Sequence, residues 1–519
     1  MPKPQKRPPQ AKPFTRPAPT MGWNAIDSLP DMGPLDAVTI INYEANPTSV
    51  DLRGGHSQFA TGFSGTADSL FEYSGGSTNK FFAVTSAGAI YNITNGGAVG
   101  AADVTGLTNG RWQYVNNTTA AGNYIQAVNG ADKMRVYNGT AWFADGDGSP
   151  YDVTGIDTAT LIGIFLSHNR VWFIPTATLK AWYLPAGAIG GAASALDLSS
   201  FAQRGGYLMA GGTWTMDAGY GMDDMTVFVT SNGEVIVYRG TDPASASTWS
   251  LVGVYWIGSP IGRRCLQKIG GDLAIICQDG VVPMAAALQS SRVNPKSAFS
   301  NKIQNAISSA VSSYGSTYGW QLMPFPKENM LILNVPVAVG SQQQYVMSTI
   351  KRANGDWAWC NFTGWNANCW ELYADNIYFG GNTFVGKAWD TNADNGSAIP
   401  GFILQSFSDF GAGGRLKRAT SMRPYLLTNG SPQIFAGMNW EFDQSDPSSA
   451  LSFTPTSYGV WDTGRWDSAV WGADVSPSFA LQGATGSGHY GAPVFKSSSS
   501  GIQVRLASTD IYLVGGGYI

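Results

Sequence analysis

The sequence predicts an all-β protein: a β-propeller-like core of six or seven blades with a smaller C-terminal β domain and one short inserted helix. Two observations favour this fold. The 519 residues include 64 glycines and 12% aromatic residues but only 13% charged residues, a composition typical of short, half-buried strands joined by tight turns. A hairpin-rich unit also recurs at intervals of roughly 40–55 residues, which is the period of propeller blades.

Residues 222–258 show this unit most clearly. The run 226–230 is apolar, Ser231-Asn232-Gly233 has the residues of a tight turn, and 234–238 alternates polar with apolar. A looser polar connection then leads to the run 249–256. Strand, hairpin, strand, turn and strand within about 40 residues is the organisation of one blade.

Similar patterns appear on both sides of this unit. The predicted strands fall at residues 70–73, 81–85 and 89–93; 112–115, 124–128, 134–137 and 140–143; 161–166, 170–175 and 181–184; 264–269, 272–277 and 281–284; 330–335 and 345–350; and 357–362, 371–374, 376–379 and 383–389. Turn residues such as Asn138-Gly139 and His168-Asn169 separate them. The alternative fold is a string of β-meanders arranged as sandwiches.

Three domains are predicted: residues 1–22 as a basic, proline-rich extended arm, 23–410 as the propeller-like platform, and 411–519 as a C-terminal β domain. The first 20 residues contain seven prolines, five Lys or Arg and no acid, so we expect a mobile arm without helix or sheet. The whole chain has a net charge of −4. Because the first 20 residues contribute +5, the remaining residues carry about −9. A basic arm on an acidic body suits docking onto another protein.

One helix is predicted as an insertion at about residues 299–314. Ile303, Ala306, Ile307, Ala310, Val311 and Tyr314 fall on one helical face. Ser300 is the expected N-cap.

In the C-terminal region, strands are predicted at 422–427, 433–438 and 503–512. A basic cluster follows the glycine-rich segment 411–414, and we expect it to be solvated or to meet an acidic neighbour rather than phosphate; it comprises Arg415, Lys417, Arg418 and Arg423.

The search for catalytic or metal-binding motifs predicts no catalytic residue, no cofactor and no metal site. We find no GxSxG, Walker A or HExxH motif, and the six glutamates never fall in close sequence pairs. The three histidines, His56, His168 and His489, are scattered, and the four cysteines, Cys265, Cys277, Cys360 and Cys369, are expected to be buried free thiols. The Gly240–Trp249 segment is similar to a turn-stabilising Asp-box. Residues 145–148 and 390–394 resemble fragments of calcium loops but lack the terminal Glu, so polar turns are expected.

Three stretches resemble a known family. The motif DLRGGHS at residues 51–57, the phrase VYRGTDPASASTWSLVGVYWIG at 237–258, and a C-terminal Trp-Asp repeat at Trp461, Trp466 and Trp471 are similar to tail nozzle proteins (tail tubular protein B and phage-stabilisation proteins) of short-tailed bacteriophages. The resemblance extends from about Met21 to Ile519.

This resemblance implies a structural virion protein rather than an enzyme. The expected role is that of a subunit of a ring, a homohexamer as the resemblance implies, that lies below the tail adaptor ring and extends and gates the DNA-ejection channel. The expected partners are further copies of the chain, the adaptor ring, tail fibres or spikes, viral DNA passing without sequence-specific binding, and the host envelope at ejection. The protein would reside in the virion tail after assembly in the host cytoplasm, which agrees with the lack of a signal-peptide core or an apolar run of about 18 residues.

The alternative function is a propeller enzyme or lectin of a phage tail that acts on host surface glycan. The aromatic segments 357–370 and 461–471 would stack sugars in that case. A ring subunit predicts a large assembly without turnover. A glycan enzyme predicts a smaller species that releases reducing ends.

Overall fold

The computed structural model describes residues 11–217, 222–287, 295–338, 340–352, 354–451 and 475–516. The chain divides into two compact units. One, the propeller unit, comprises Gln58–Gln344 and Trp365–Lys387; the other, the flanking unit, combines the N-terminal residues through Ser57 with Tyr345–Gly364 and the residues from Ala388 onward. The division differs from the predicted ranges 23–410 and 411–519, because the N-terminal and C-terminal segments pair with each other in one sheet.

The strands of the propeller unit fall into seven antiparallel groups, which we call blades 1 to 7, and this arrangement confirms the predicted propeller-like fold. Blade 1 consists of residues 67–73 of strand His56–Tyr73 with Lys80–Thr85 and Ala89–Asn92. Blade 2 consists of Gln113–Thr119, Gly122–Val128, Arg135–Tyr137 and Trp142–Ala144, and blade 3 of Leu161–Ser167, Arg170–Pro175, Lys180–Tyr183 and Ser194–Asp197. Blade 4 consists of Leu208–Asp217, Met222–Thr230, Glu234–Gly240 and Trp249–Trp256. Blade 5 consists of Leu266–Ile269, Asp272–Cys277 and Gly280–Pro283, and blade 6 of Gln321–Phe325, Met330–Ala338 and Ser341–Ser348. Blade 7 consists of Cys369–Tyr373, Asn376–Gly380, Asn382–Ala388 and the first part of His56–Tyr73. Short two-residue strands lie at Gly97–Ala98, Val153–Thr154 and Gly191–Ala192.

Strand His56–Tyr73 closes the ring of blades. It pairs with Asn382–Ala388 as the outer strand of blade 7 and continues as the first strand of blade 1. The last blade is thus completed by an early part of the chain, which leaves no free sheet edge at the point of closure.

The blades are held together by side chains on both faces of each sheet. In blade 4, Val227 and Val229 pack in one cluster with Leu273 and Ile275 of blade 5. Phe228, between the two valines, packs in another cluster with residues of blade 3. Because successive residues of a strand point to opposite faces, a strand between two neighbouring blades buries both. This explains the nearly continuous apolar runs of the sequence.

The predicted helix is present as Gln304–Tyr314, preceded by a 3-10 turn at Asn301–Ile303. Ile303, Ile307 and Ala310 on its predicted apolar face are buried. Ser300 is not its side-chain cap: the Ser300 hydroxyl accepts a hydrogen bond from the Val281 amide instead (3.0 Å). A four-residue helix, Met284–Ala287, and 3-10 turns at Thr158–Thr160, Pro295–Ser297 and Pro326–Glu328 complete the helical elements of the described residues.

The flanking unit consists of two groups of paired strands. The first contains Lys12–Pro17, Tyr43–Ala45, Val50–Leu52, Lys417–Thr428, Ser476–Phe479, Gln482–Gly483, Ser487–Gly488 and Val504–Gly515; the second contains Gly22–Trp23, Asp36–Ile41, Trp359–Phe362, Ile399–Gln405, Gln433–Trp440 and Gly491–Ser499. Strand Trp359–Phe362 was predicted as part of the last blade, but it pairs here with Gly22–Trp23.

The expectation that residues 1–22 form neither helix nor sheet is wrong for their second half. Lys12–Pro17 pairs antiparallel with Val504–Gly515 over six residues. The Arg16 side chain is buried and its guanidinium donates to the Ser406 carbonyl and hydroxyl, both at 2.8 Å. Burial lowers the pKa of Arg16 to about 10. This segment is therefore an integral strand of the flanking unit. Among the described residues, no helix is long and apolar enough to cross a membrane.

Candidate functional site

The candidate site is the channel at the centre of the propeller unit. The first strand of every blade contributes to its wall, and the cavity inside has a volume of about 260 Å³. One lining residue from each blade, in chain order, is Leu70, Tyr114, Ile164, Gly211, Leu266, Leu322 and Trp370. Side chains therefore fill most of the channel, and the remaining space suits a small molecule at most.

Arg264, which lies just before the first strand of blade 5, links this blade to three others at the channel. Its Nη2 donates to the Ser69 hydroxyl (2.7 Å) and to the carbonyl oxygens of Asp68 and Trp112 (both 3.1 Å), and its Nη1 approaches Gln321 Oε1 at 3.4 Å. Hydrogen bonds from a charged donor are among the stronger ones. Arg264 thus connects blade 5 with blades 1, 2 and 6 and fixes the inner strands.

A carboxyl group with a raised pKa, that of Glu371, also lies in the channel wall. Burial raises the pKa of Glu371 to about 7, and the neighbouring Glu72 acts in the same direction, while the Leu372 amide, which donates to Glu371 Oε1 (3.1 Å), opposes it. Burial also raises the pKa of Glu72. The Tyr114 hydroxyl lies between them and accepts a hydrogen bond from the Glu72 amide (3.1 Å). The charge of Arg264 also opposes the rise in the pKa of Glu371, and the resulting value of about 7 lies near neutral pH.

Sequence reasoning missed this group of residues. Glu72, Tyr114 and Glu371 come from blades 1, 2 and 7, so the glutamates are far apart in the chain. A search for carboxylates close in sequence does not find such a pair. The only signal available was that all three residues fall on predicted strands.

The DLRGGHS motif has a structural role in the flanking unit. The Arg53 side chain is completely buried and its two terminal nitrogens bind the carboxylate of Asp394 at 3.0 and 2.7 Å. His56 Nδ1 lies 3.1 Å from the same carboxylate. A Cβ at Gly55 would lie 2.0 Å from the Ala393 carbonyl oxygen, so only glycine fits. The motif fastens an early segment of the chain onto the loop that precedes Ile399–Gln405.

The two acidic loops compared above with calcium-binding fragments are turns whose carboxylates have protein partners. Asp145 accepts hydrogen bonds from the Val153 amide (2.7 Å) and the Thr158 hydroxyl (2.6 Å). Asp147 accepts from the amides of Ala144 and Ser149, both at 3.0 Å. In the second loop, Asp394 binds Arg53. These contacts account for the acidic residues as parts of polar turns.

The segment that resembles an Asp-box also stabilises a turn. Asp242 accepts hydrogen bonds from Arg170 Nη2 (3.1 Å) and the Ala244 amide (3.2 Å). The Trp249 ring is buried and stacks on Tyr238, with 5.1 Å between ring centroids. The segment therefore anchors the outer strand of blade 4.

The aromatic segment 357–370 does not offer the stacking surface that the glycan alternative requires. The rings of Trp359, Trp365 and Trp370 are buried, and half-buried Trp357 lies under the ammonium group of Lys351. The segment 461–471 lies outside the described residues. Of the basic cluster, Lys417 is buried and its Nζ donates to the His489 carbonyl (2.8 Å).

The prediction of free buried thiols is confirmed for all four cysteines. Burial raises the pKa of Cys265, Cys277 and Cys369 to about 12. Thiols in such surroundings remain protonated and behave as small apolar side chains.

No family model and no curated protein matches this sequence. Solved structures that resemble the chain include BBS1N in complex with ARL6DN (15% identity, 45% of this chain and 73% of that chain, TM-score 0.29). They also include the extracellular domain of the putative one component system BT4673 from B. thetaiotaomicron (11% identity, 85% and 62%, TM-score 0.40) and the Cps50 (Swd1) β-propeller domain of Myceliophteria thermophila (12% identity, 65% and 100%, TM-score 0.39). The assignment of the propeller fold rests on the strand pairing described above.

Proposed function

We propose that this chain is a structural virion protein, a ring-forming tail nozzle subunit of a short-tailed bacteriophage that extends and gates the DNA-ejection channel. The proposal is carried by the phrase at residues 237–258, which resembles that family and covers the outer hairpin of blade 4. The structure adds a physical reason why this hairpin would be an assembly surface.

The outer strand of blade 4, Trp249–Trp256, exposes apolar side chains on an edge. Ser250, Leu251 and Val252 are all exposed, with 38% of Leu251 and 41% of Val252 accessible to solvent. Within the described part of the chain, the strand pairs only with Glu234–Gly240. Exposed apolar edges are usually covered in soluble proteins, because they pair readily with other chains. A neighbouring copy in a ring would cover this edge.

The size of the propeller channel is relevant to how DNA would pass. A cavity of about 260 Å³ crossed by Arg264 admits no nucleic acid strand. In the proposed assembly, DNA therefore passes through the opening enclosed by the ring of subunits and not through any single propeller. The net charge of −4 suits passage without tight binding of phosphate. Loops on the rigid blades would contact the adaptor ring, the fibres or spikes and, at ejection, the host envelope.

Native mass spectrometry of the purified protein tests the proposal. A hexameric ring of 55.1 kDa chains predicts a species of about 330 kDa. The double variant L251D/V252D is expected to shift the population toward monomers, because two carboxylates at the edge oppose its burial. The control L481D introduces a single carboxylate at Leu481 in the flanking unit, which is 57% exposed, and should leave the assembly unchanged. A monomeric wild-type protein at micromolar concentration, or equal effects of both changes, would contradict the proposed role.

The glycan-hydrolase alternative retains one observation in its favour. Glu371, with a pKa of about 7, lies in the channel wall, and a second carboxyl group, Glu72, is close enough to influence it although it does not line the channel. Two carboxyl groups of different pKa are what glycosidases use. Incubating the protein with host surface glycan and measuring released reducing ends decides the point: release that E371Q abolishes would favour hydrolysis over the nozzle role.

A further inference from the structure

A second and larger cavity, which we call the arginine mouth, lies where the propeller channel opens. Its volume is about 550 Å³, within the range of small-molecule sites. Three arginines, Arg111, Arg263 and Arg264, contribute to its wall, and no carboxylate does. Tyr207 and Trp320 add aromatic surface. All these residues belong to the propeller unit.

One side of the arginine mouth is rigid. The guanidinium of Arg111 lies over the ring of Tyr318 at 4.6 Å, and that of Arg264 approaches the same ring at 5.2 Å. The Tyr318 hydroxyl donates to the Asp68 carbonyl, and the hydrogen bonds of Arg264 hold it against three blades. On this side, stacking and hydrogen bonds position two guanidinium groups, and the carboxyl groups of Glu371 and Asp68 offset part of the charge of Arg264.

The remaining arginine increases the local excess of positive charge. Arg263 Nη1 donates to the Asn129 carbonyl (3.2 Å), and its charge is close enough to Arg111 for the two to repel. Burial lowers the pKa of Arg263, and Arg111 lowers it further. Within the described residues, neither Arg111 nor Arg263 forms a salt bridge at 4.0 Å or less. Asp68, the carboxylate that interacts with Arg111 at longer range, is already hydrogen-bonded to the Thr66 hydroxyl (2.7 Å).

We propose that the arginine mouth binds a small organic anion, whose carboxylate or phosphate group lies against Arg111 and Arg263 while its uncharged body contacts Tyr207 and Trp320. Guanidinium groups bind both kinds of anion through paired, charge-assisted hydrogen bonds. A bound anion offsets the repulsion between the two arginines in a partly desolvated cavity. This inference does not depend on the nozzle role, because it concerns the propeller of a single chain.

Isothermal titration calorimetry of the full chain tests the proposal with three probes: inorganic phosphate, D-glucuronate and, as the uncharged match of glucuronate, D-glucose. We expect saturable binding of both anions and none of glucose. The variant R111M/R263M should weaken anion binding by about 100-fold, because each of the two lost charge-assisted hydrogen bonds contributes about tenfold. Binding of phosphate alone would show that the site takes the free inorganic group; tighter binding of glucuronate would show that the uncharged body also contributes.

The matched control is R204M. Arg204 also lies over an aromatic ring, Trp256 at 4.7 Å, but outside the arginine mouth, so its loss should leave binding unchanged. R111K/R263K keeps both charges but loses the paired hydrogen bonds, so its affinity should fall between that of the wild type and that of R111M/R263M; this intermediate value separates loss of charge from loss of fold if the methionine variant is unstable. The proposal is overturned if neither anion binds below about 10 mM, if glucose binds as well as glucuronate, or if R204M and R111M/R263M weaken binding equally.

Discussion

The substitution Glu371→Gln tests the electrostatics of the propeller channel. Burial raises the pKa of Glu371 from an ordinary value of 4.5 to about 7. Between these two values the folded protein holds a proton at this site that the unfolded chain releases. The stability contributed by the site is therefore fully present below about pH 4.5, falls as the pH rises, and is completely lost above about pH 7.

The size of the effect follows from the two pKa values. The difference between 7 and 4.5, at 1.36 kcal/mol for each pH unit, amounts to about 3 kcal/mol. Glutamine has the same shape, carries no charge, and its Oε1 can still accept the hydrogen bond from the Leu372 amide. We therefore expect E371Q to unfold like the wild type near pH 5 and to be more stable than the wild type by up to about 3 kcal/mol at pH 8.

Urea unfolding followed by tryptophan fluorescence between about pH 5 and pH 8 measures this difference. Trp112 and Trp370 in the channel wall make the signal sensitive to the propeller unit. The control is E328Q, which removes an exposed glutamate from the turn between two strands of blade 6 and should keep the wild-type pH profile. If E371Q and the wild type lose stability in parallel as the pH rises, the assigned environment of Glu371 is wrong.

Three further predictions concern the flanking unit. R53M should lower the free energy of unfolding by about 3–5 kcal/mol, because it leaves the partly buried Asp394 carboxylate without its arginine; adding D394N should recover part of that loss in the same denaturation assay. G55A should destabilise by more than about 3 kcal/mol, because its Cβ would overlap a backbone carbonyl, whereas G483A, where nothing lies within 4 Å, should have little effect on the melting temperature. Deleting residues 1–20 should destabilise the unit, since strand Lys12–Pro17 and its buried arginine are lost, and deletion of residues 1–10 alone should not; equal melting temperatures for the two truncations would contradict the integral strand.

The sequence predicts the outer hairpins of the blades well, because their turns depend on local chemistry. His168 and Asn169 both have positive φ (52° and 56°), as a tight hairpin turn requires. The inner strand Leu208–Asp217 is not among the predicted strands, because the pair Gly211-Gly212 within it is typical of a turn. Gly211 is needed there for a different reason: a Cβ would lie 2.4 Å from the Phe165 ring of the neighbouring blade. That contact is long-range, so no local pattern reveals it.

The same distinction explains the error at the N-terminus and the missed channel residues. Proline-rich composition predicts an extended conformation, which Lys12–Pro17 does adopt, but composition does not show that Val504–Gly515 lies beside it to accept the backbone hydrogen bonds. Edge positions tolerate proline because one side of the strand needs no donor. Likewise, Glu72 and Glu371 meet only because blade 7 closes onto blade 1. Contacts that form only when the ring of blades closes cannot be predicted from local sequence patterns.

Two of the three segments that resemble the nozzle family lie within the described residues, and they carry different kinds of information. DLRGGHS is buried through Arg53 and has no room for a Cβ at Gly55, so its sequence is constrained by folding of the flanking unit alone. A resemblance there indicates a shared fold and is compatible with many functions. Residues 250–252, within the second segment, are exposed, and the stability of blade 4 does not require Leu251 and Val252 to be apolar. Two adjacent apolar side chains exposed on an unpaired strand edge have a physical reason if another chain covers them. The proposed ring therefore depends on this short strand edge more than on any buried motif.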